Sequence, residues 1–456
     1  MKTIQSINPS TEEILGEVEV STDQEIRDAV IKANKTKEGW RSIGVVERVT
    51  YIRKVYSALR NRANEIAETI TREVGTPITE CKGEVAWDWG YFEWFLNNVE
   101  QSIAPEITFE DAGSKHTVFY EPLGTVAVIT PWNLPFDFFI WGVVPNLLVG
   151  NTVIHKASEE CILSGKLFAD IVSGVGLPDG VFSAVHGDGE QGAMLVEQDV
   201  DLIWFTGSSE VGKKLYQTAA KKFIRATLEM GGSNPAIVFD DYPVDDLLER
   251  IIFKRFAYCA QTCDAVKRLI VHESKFEEMV EKLSARIGKI VVGDPMDSKT
   301  QMGPLVSKVQ HQLLAGQVAD ATAKGAKAIS GGQVLQEKGY YYSPTLLTHV
   351  TKDMRVWNEE VFGPVLPVVS FQSEDEAIAL ANDTRYGLGS QVFSKDLDRA
   401  YRIAGAIKAG NADINGGGHF QPYNPFGGYK ESGIGREHGK YGFHELCQTK
   451  IVSLKK

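Results

Sequence analysis

Three short stretches of this chain carry residue types that do chemistry together. Gln261-Thr262-Cys263-Asp264 presents a thiol. A thiolate adds readily to a carbonyl carbon, and a thioester is an activated acyl group. Leu228-Glu229-Met230-Gly231-Gly232 puts one carboxylate at the end of an apolar run, just before two glycines. A glutamate so placed can serve as a general base, and the glycines let the chain turn closely around a ligand. Thr130-Pro131-Trp132-Asn133-Leu134-Pro135 follows another apolar run, and Asn133 offers an amide donor of the kind that steadies an oxyanion. Taken singly, each has a plainer reading: an inert buried cysteine, a surface or helix-capping carboxylate, an asparagine in a turn between prolines. It is their joint presence that points to acyl chemistry.

Two further stretches bear on a phosphate-containing ligand. Phe205-Thr206-Gly207-Ser208-Ser209 follows an apolar run and opens a helix. Free helical N–H groups and the Ser208 hydroxyl suit a phosphate. Gly187-Asp188-Gly189-Glu190-Gln191-Gly192 spells GxGxxG, but the acid expected about 20 residues later is not clear, since Asp199 and Asp201 come too early. Asp188 and Glu190 would also repel a pyrophosphate. That loop therefore reads as a close strand-to-helix turn near a cofactor, not as the phosphate cradle.

The elements that must position these groups can be read from periodicity. Ser21 is expected to cap a first helix with Gln24 closing a capping box, and Ile26, Ala29, Val30 and Ala33 then share a face. Helical pattern continues through Arg48–Arg72 and Glu84–Val99. From about Gly124 short apolar strands (Val126–Ile129, Thr152–Ile154, Val181–Val185, Leu202–Phe205) alternate with helices over Phe136–Leu148, Leu163–Val175, Gln191–Gln198 and Glu210–Ala220. This alternation means βαβ units and a parallel sheet, with ligands at the carboxyl ends of the strands. A second alternating region runs from about Gly231 to Ile414. It has candidate strands at Arg268–His272, Pro367–Phe371 and Ala412–Asn415, and candidate helices at Lys275–Ile287, Ser307–Lys324 and Asp375–Asn382. Ile107–Tyr120 and Cys447–Leu454 read as a protruding hairpin and a tail that could pair with another subunit.

Composition sets the outer bounds. The 456 residues exceed one compact core, so two or three domains are expected. A net charge of -12 argues against a nucleic-acid or anionic-membrane partner. The longest apolar stretch, around Phe136–Gly150, is interrupted by Asp137, Pro145 and Asn146 and is too short to span a bilayer. The start shows no basic region followed by an apolar run, and a cytoplasmic protein is expected. The odd set of Cys81, Cys161, Cys259, Cys263 and Cys447 suits one reactive thiol among inert ones better than a disulfide scaffold, and no metal site is expected. Were residues 259–263 helical, Cys259 and Cys263 would share a face, and a protective disulfide would be conceivable.

Together these motifs resemble the NAD(P)-dependent aldehyde dehydrogenase superfamily. The resemblance runs from Asn8-Pro9-Ser10-Thr11 to Gly427-Gly428-Tyr429-Lys430-Glu431-Ser432-Gly433 and includes Glu360-Val361-Phe362-Gly363-Pro364. It implies an α/β fold: a Rossmann-like dinucleotide-binding domain (1–105 and 123–230), an α/β catalytic domain (231–432) and a small β oligomerisation arm (106–122 and 445–456). It implies Cys263 as nucleophile, Asn133 with the Cys263 N–H as oxyanion hole, and Glu229 as activator of the hydrolytic water. It also implies a cofactor surface: Thr130, Pro131 and Trp132; Lys156 and Glu159 at the adenosine ribose; Ser208 at a pyrophosphate oxygen, with Gly189, Phe205, Gly207 and Gly231 nearby; Glu360 at the nicotinamide ribose, with Phe362 beside it. A homodimer or homotetramer is the expected assembly. Ala260 departs from the family, which usually has glycine there.

Cofactor and substrate preference follow from fewer residues. Glu159, three positions after Lys156, can bond a ribose 2′-hydroxyl and repel a 2′-phosphate, so NAD is favoured over NADP; the mixed alternative has Glu159 turned away and Glu160 capping the next helix. Ser233, where many relatives have Lys, resembles a branch of bacterial succinate-semialdehyde dehydrogenases. That substrate wants an arginine, yet the two places where such relatives carry one hold Trp141 and Ala257, leaving Arg255 and Arg385 as candidates. The tunnel positions Phe136, Phe138, Trp141, Thr262, His419, Phe420 and Tyr423 instead suit an apolar or aromatic aldehyde, though each aromatic could equally be core. Glu229 argues against a coenzyme A-acylating enzyme. The full set of Cys263, Glu229 and Asn133 argues against a binding protein that has lost catalysis, and the thiol against a simple alcohol dehydrogenase.

Overall fold

The computed structural model describes residues 2–335 and 338–456. A two-stranded ribbon, β1 (Thr3–Ile7) and β2 (Ile14–Glu19), leads into helices α1 (Asp23–Ser42), α2 (Val45–Asn61), α3 (Ala63–Val74) and α4 (Ile78–Ser102). The first helix begins one residue later than the sequence suggests. Thr22, not Ser21, is its cap, and Glu25, not Gln24, closes the box: Thr22 N donates to Glu25 Oε2 at 2.7 Å. The Ser21 hydroxyl is committed elsewhere, accepting from His186 N at 3.0 Å. The helical pattern expected as one run over Arg48–Arg72 is two helices, because Arg62 leaves helical geometry at φ −111°.

Strands β3 (Glu106–Glu110) and β4 (Ser114–Pro122) form the hairpin. The chain's last strand, β18 (Cys447–Lys455), pairs antiparallel with β4 along its whole length. The tail thus finds its hydrogen-bond partner within its own chain.

The first large sheet has the order β17-β9-β8-β5-β6-β7. Its members are β5 (Thr125–Thr130), β6 (Thr152–Ala157), β7 (Phe182–Ala184), β8 (Leu202–Gly207), β9 (Arg225–Met230) and the late two-residue strand β17 (Gly433–Ile434). All neighbours are parallel except β17, which runs against β9. Every residue of β5 and β6 is buried, which is why they read as unbroken apolar runs rather than alternating ones. Helix α5 (Pro135–Val149), α6 (Ile162–Ser173), α7 (Gly189–Glu197) and α8 (Ser209–Lys222) connect them. One core joins α2 to α6 to one face of the sheet; α1, α7 and α8 cover the other. From β5 the chain runs outward through β6 to β7, then crosses back to β8 on the other side of β5 and goes on to β9. This switch point opens a crevice outside the carboxyl ends of β5 and β8.

The second sheet has the order β12-β13-β14-β11-β10-β15-β16. It comprises β10 (Asn234–Val238), β11 (Val266–His272), β12 (Lys327–Ser330), β13 (Thr345–Thr348), β14 (Val365–Phe371), β15 (Gln391–Phe393) and β16 (Asp413–Ile414). Only β12 is antiparallel to its neighbour. The link from β9 to β10 is Gly231-Gly232-Ser233, so the chain passes from one sheet to the other through the two glycines. Helix α9 (Val244–Phe256) then carries the chain back toward the start of β11.

Candidate active site

A cavity of about 1100 Å³ lies between the carboxyl edge of the first sheet and the starting edge of the second. It exceeds the ~300–1,000 Å³ usual for small-ligand clefts. Its wall contains Pro131, Trp132 and Asn133 after β5, Gly207 and Ser208 at the end of β8, and Glu229 and Gly231 at the end of β9. It also contains Phe138 of α5, Cys263 before β11, and Glu360 and Phe362 before β14. Residues far apart in sequence, including all three proposed catalytic groups, therefore share one cleft. Cys263 precedes a strand of the second sheet, because the cleft faces the starting edge of that sheet.

The Cys263 loop is tied down on both sides. Asn234, the first residue of β10, donates its amide to Cys263 O at 2.7 Å and to Ala265 O at 2.9 Å, and accepts from Gly389 N at 2.9 Å. Upstream, Gln261 Oε1 accepts from Val306 N at 3.0 Å. The half-buried Cys263 thiol is pushed well above its ordinary range, first by burial and then by the Glu229 and Asp264 carboxylates, with Lys267 pulling the other way. Asp264 is neutralised by Lys254 at 2.7 Å.

Glu229 is 1% exposed, and among the described residues neither of its oxygens has a hydrogen-bond partner. Burial, then Glu437 and Glu360, raise its carboxyl far above the usual carboxylate range. A buried unpaired carboxyl is costly, so its persistence beside a thiol in a cleft marks a functional group. Glu437, also buried, is pushed up to about 8 by burial, and Thr206 Oγ1 reaches its Oε1 at 3.5 Å.

The cofactor-type residues fall into two groups. Ser208 caps the 14-residue helix α8, whose free N–H groups face the cleft as an anion site. A Cβ at Gly207 would sit 2.5 Å from the Phe205 ring, and one at Gly231 would sit 1.9 Å from Glu360 Oε2. Neither position takes a side chain without a neighbour moving aside. Glu360 accepts from Gly232 N at 3.1 Å and is ion-paired with the buried Lys267, whose ammonium lies 4.8 Å above the Phe362 ring. A large cleft, glycines that clear its floor and a helix start at one end suit a dinucleotide.

Lys156, Glu159, Thr130, Gly189 and Phe205 do not line this cavity. Lys156 is buried at the end of β6 and pairs with Glu159 at 3.3 Å. Ser158, not Glu160, caps the short turn that follows. Thr130 Oγ1 bonds His155 Nε2 at 2.9 Å, and Phe205 is core. In the GxGxxG stretch Asp188 caps α7 with Gln191 closing the box, while Gly189 has open space around it.

The substrate-type residues also divide. Phe138 lines the cleft and packs edge-on against Trp141 at 5.2 Å; Trp141 meets Phe420 at 5.4 Å, and Phe420 stacks on Trp87 at 5.5 Å. Thr262 is almost wholly buried beside the nucleophile. Phe136 belongs to the core instead, against Trp89 and Phe168, and Tyr423 is on the surface. His419 is held by Asp413 at 3.1 Å. Arg255 faces no tunnel: it is 0% exposed and donates to the carbonyls of Val361 and Gly363. Arg385 lines the cleft beside Glu431.

Sequence reasoning missed Lys267, Glu437 and Asn234 as site residues. Lys267 had a signal, a lone lysine entering an apolar strand four residues after the thiol. Glu437 sits in Gly435-Arg436-Glu437-His438-Gly439, where glycines on both sides hint at close packing. Nothing local marks Asn234.

A family model described as "Aldehyde dehydrogenase family" matches residues 1–452. Aminoaldehyde dehydrogenase 1, peroxisomal, of Pisum sativum is 38% identical over 464 residues, spanning 99% of this chain and 92% of the relative. Among solved structures, an Escherichia coli NADP-dependent enzyme superposes with a TM-score of 0.96 at 32% identity, covering 100% of this chain and 95% of its own. Betaine aldehyde dehydrogenase of Staphylococcus aureus in complex with NAD+ superposes at 0.94 with 31% identity, covering 99% and 91%.

Proposed function

The chain belongs to the aldehyde dehydrogenase family, and from that premise we propose that it oxidises an aldehyde to a carboxylate through a thioester on Cys263 that water hydrolyses. The observation that carries this reading is the meeting in one cleft of a thiol, an amide and an unpaired buried carboxyl (Cys263, Asn133 and Glu229). The cofactor is NAD(P). Ser208, Gly207, Gly231, Glu360 and Phe362 would hold it from the cleft, with Thr130, Pro131, Trp132, Lys156, Glu159, Gly189 and Phe205 in support; Glu159 favours NAD. When bound, its nicotinamide supplies the hydride acceptor.

The protein's own groups do the rest. The partly accessible Cys263 thiol gives its proton to solvent water and its sulfur bonds to the aldehyde carbon, while the carbonyl π electron pair moves onto oxygen. The Asn133 amide and the Cys263 N–H donate to that oxygen, and one such donor is typically worth roughly 10²–10³ in rate. Once the carbon has been oxidised to a thioester, Glu229 takes a proton from water as its oxygen bonds to the acyl carbon, and the Cys263 thiolate leaves. Glu437, next to Glu229, is placed to share that proton.

For the substrate we favour an uncharged apolar or aromatic aldehyde over succinate semialdehyde. Phe138 in the cleft wall supports it, with Trp141 and Phe420 packed behind it, as does the commitment of Arg255 to core carbonyls. Behind Trp141, whose indole N–H donates to Asp88 at 3.2 Å, lie Glu84 and Asp137, and all three carboxyls keep an unpartnered oxygen. Burial pushes all three carboxyls above their ordinary range, and the cluster offers a substrate carboxylate no cation to pair with. We assign residues 1–105 and 123–230 to cofactor binding, 231–432 to catalysis, and 106–122 with 445–456 to an oligomerisation arm. Exposed Ile107, Phe109, Ile451 and Leu454 on that arm suit a homodimer or homotetramer. No helix of the described residues is long and apolar enough to cross a membrane.

The test is kcat/KM for benzaldehyde and succinate semialdehyde with NAD and NADP, in wild type and Cys263→Ala. The reading expects benzaldehyde with NAD to be preferred and the variant to be inactive. A variant near wild-type rate would refute the nucleophile, and a preference for succinate semialdehyde would refute the substrate.

A further inference from the structure

Tyr258, Cys259 and Ala260 all stand in the left-handed region, with φ of 54°, 52° and 58°. None is glycine. In that region Cβ crowds the following carbonyl oxygen, so L-residues visit it singly and rarely. Three in succession make a left-handed turn that its own side chains oppose. The turn removes the helical register that would have put Cys259 and Cys263 on one face, and Cys259 is 1% exposed within the second core. It ends three residues before Cys263.

What holds the turn comes from another part of the molecule. Glu80, in the first turn of α4, accepts from Tyr258 N–H at 2.9 Å. Among the described residues this is the only hydrogen bond Glu80 makes, and it has no cation partner. The turn closes on itself through Gln261 N to Tyr258 O at 3.0 Å. The segment is thus pinned at three points: Glu80 at the strained turn, Val306 N at the Gln261 side chain, and Asn234 at the Cys263 carbonyl. Only the first bears on the residues whose backbone is unfavourable.

We propose that Glu80 is a positioning residue for the nucleophile: by gripping the Tyr258 N–H it keeps the left-handed turn from relaxing, and the turn fixes where the Cys263 sulfur sits. This rests on Cys263 being the nucleophile. It makes a specific demand on Ala260. Glycine at that position would hold φ near 58° without crowding, so the turn would then need less help from Glu80.

The test is a cycle of Glu80→Ala, Ala260→Gly and the double variant, with Glu80→Gln and Cys263→Ala alongside. Two rates are read: the burst of reduced cofactor on mixing with NAD and benzaldehyde, and alkylation of Cys263 by iodoacetamide without NAD, located by peptide fragmentation. E80A should slow both by roughly tenfold, about 1.4 kcal/mol. A260G should return the double variant to within about threefold of wild type, and E80Q, which keeps an acceptor oxygen, should stay near wild type. A role confined to packing of α4 would give no rescue by a glycine on another element. An E80A burst within twofold of wild type, or a double variant as slow as E80A, overturns the proposal. A burst that survives in C263A overturns the nucleophile assignment and takes the clamp with it.

Discussion

Replacing Glu229 by glutamine separates the two halves of the reaction. The side chain is 1% exposed and both its oxygens lack partners among the described residues, so an amide of nearly the same shape fits in its place. Acylation of Cys263 does not need the carboxylate, and its loss removes a group that, once ionised, holds the proton on the thiol. The first turnover should therefore proceed at wild-type rate or faster. Hydrolysis loses its general base, a loss of roughly 10²–10⁴. The carboxyl is already costly to ionise in the wild type: each unit by which burial lifts its pKa is about 1.4 kcal/mol. Wild-type deacylation should accordingly rise with pH, and the residual rate in the variant should not follow that rise. Stopped-flow absorbance of the reduced cofactor measures both: a burst of about one equivalent per site, then a steady rate at least 100-fold below wild type. A variant with no burst, or with an unchanged steady rate, would remove Glu229 from the hydrolytic step.

Gly231→Ala should lose most of its cofactor affinity, because the new Cβ would lie 1.9 Å from Glu360 Oε2 and displace that carboxylate; fluorescence titration with NAD checks it, and wild-type affinity would show that Glu360 is not a cofactor ligand. In the resting enzyme, alkylation of Cys263 should climb with pH and show no plateau by pH 9, since burial, Glu229 and Asp264 hold its thiol above that ordinary value. The sign follows from the thiolate being the reactive form, scarce below the raised pKa and growing with each unit above neutrality. The Glu229→Gln profile should lie at lower pH, and a wild-type plateau near pH 7 would contradict the electrostatics.

What the sequence made legible was whatever depends on burial of whole strands. Val126–Ile129 and Leu202–Phe205 read as apolar runs because helices cover both faces of their sheet, and that alone locates the loops carrying Asn133 and Ser208. Other features turn on partners distant in sequence. Ser21 looked like a cap until His186 claimed its hydroxyl. Arg255 looked available to a substrate, but the Val361 and Gly363 carbonyls lie 106 and 108 residues on. Residues 258–260 contain no glycine, so no local signal announces a left-handed turn; it exists because α4 brings Glu80 to meet it. Asn234 and Glu437 likewise act on partners 29 and 231 residues away, Cys263 and Thr206, where pattern within any one element is silent.

The account depends on a covalent acyl group on one sulfur. Glu229→Gln should be mixed with NAD and benzaldehyde, quenched in acid within the first turnover, and measured by intact mass followed by peptide fragmentation. The predicted result is a mass increase equal to one benzoyl group, at near-full occupancy, placed on Cys263. Unmodified protein after a full equivalent of reduced cofactor has formed, or an acyl group on Cys259 or any other residue, would contradict it.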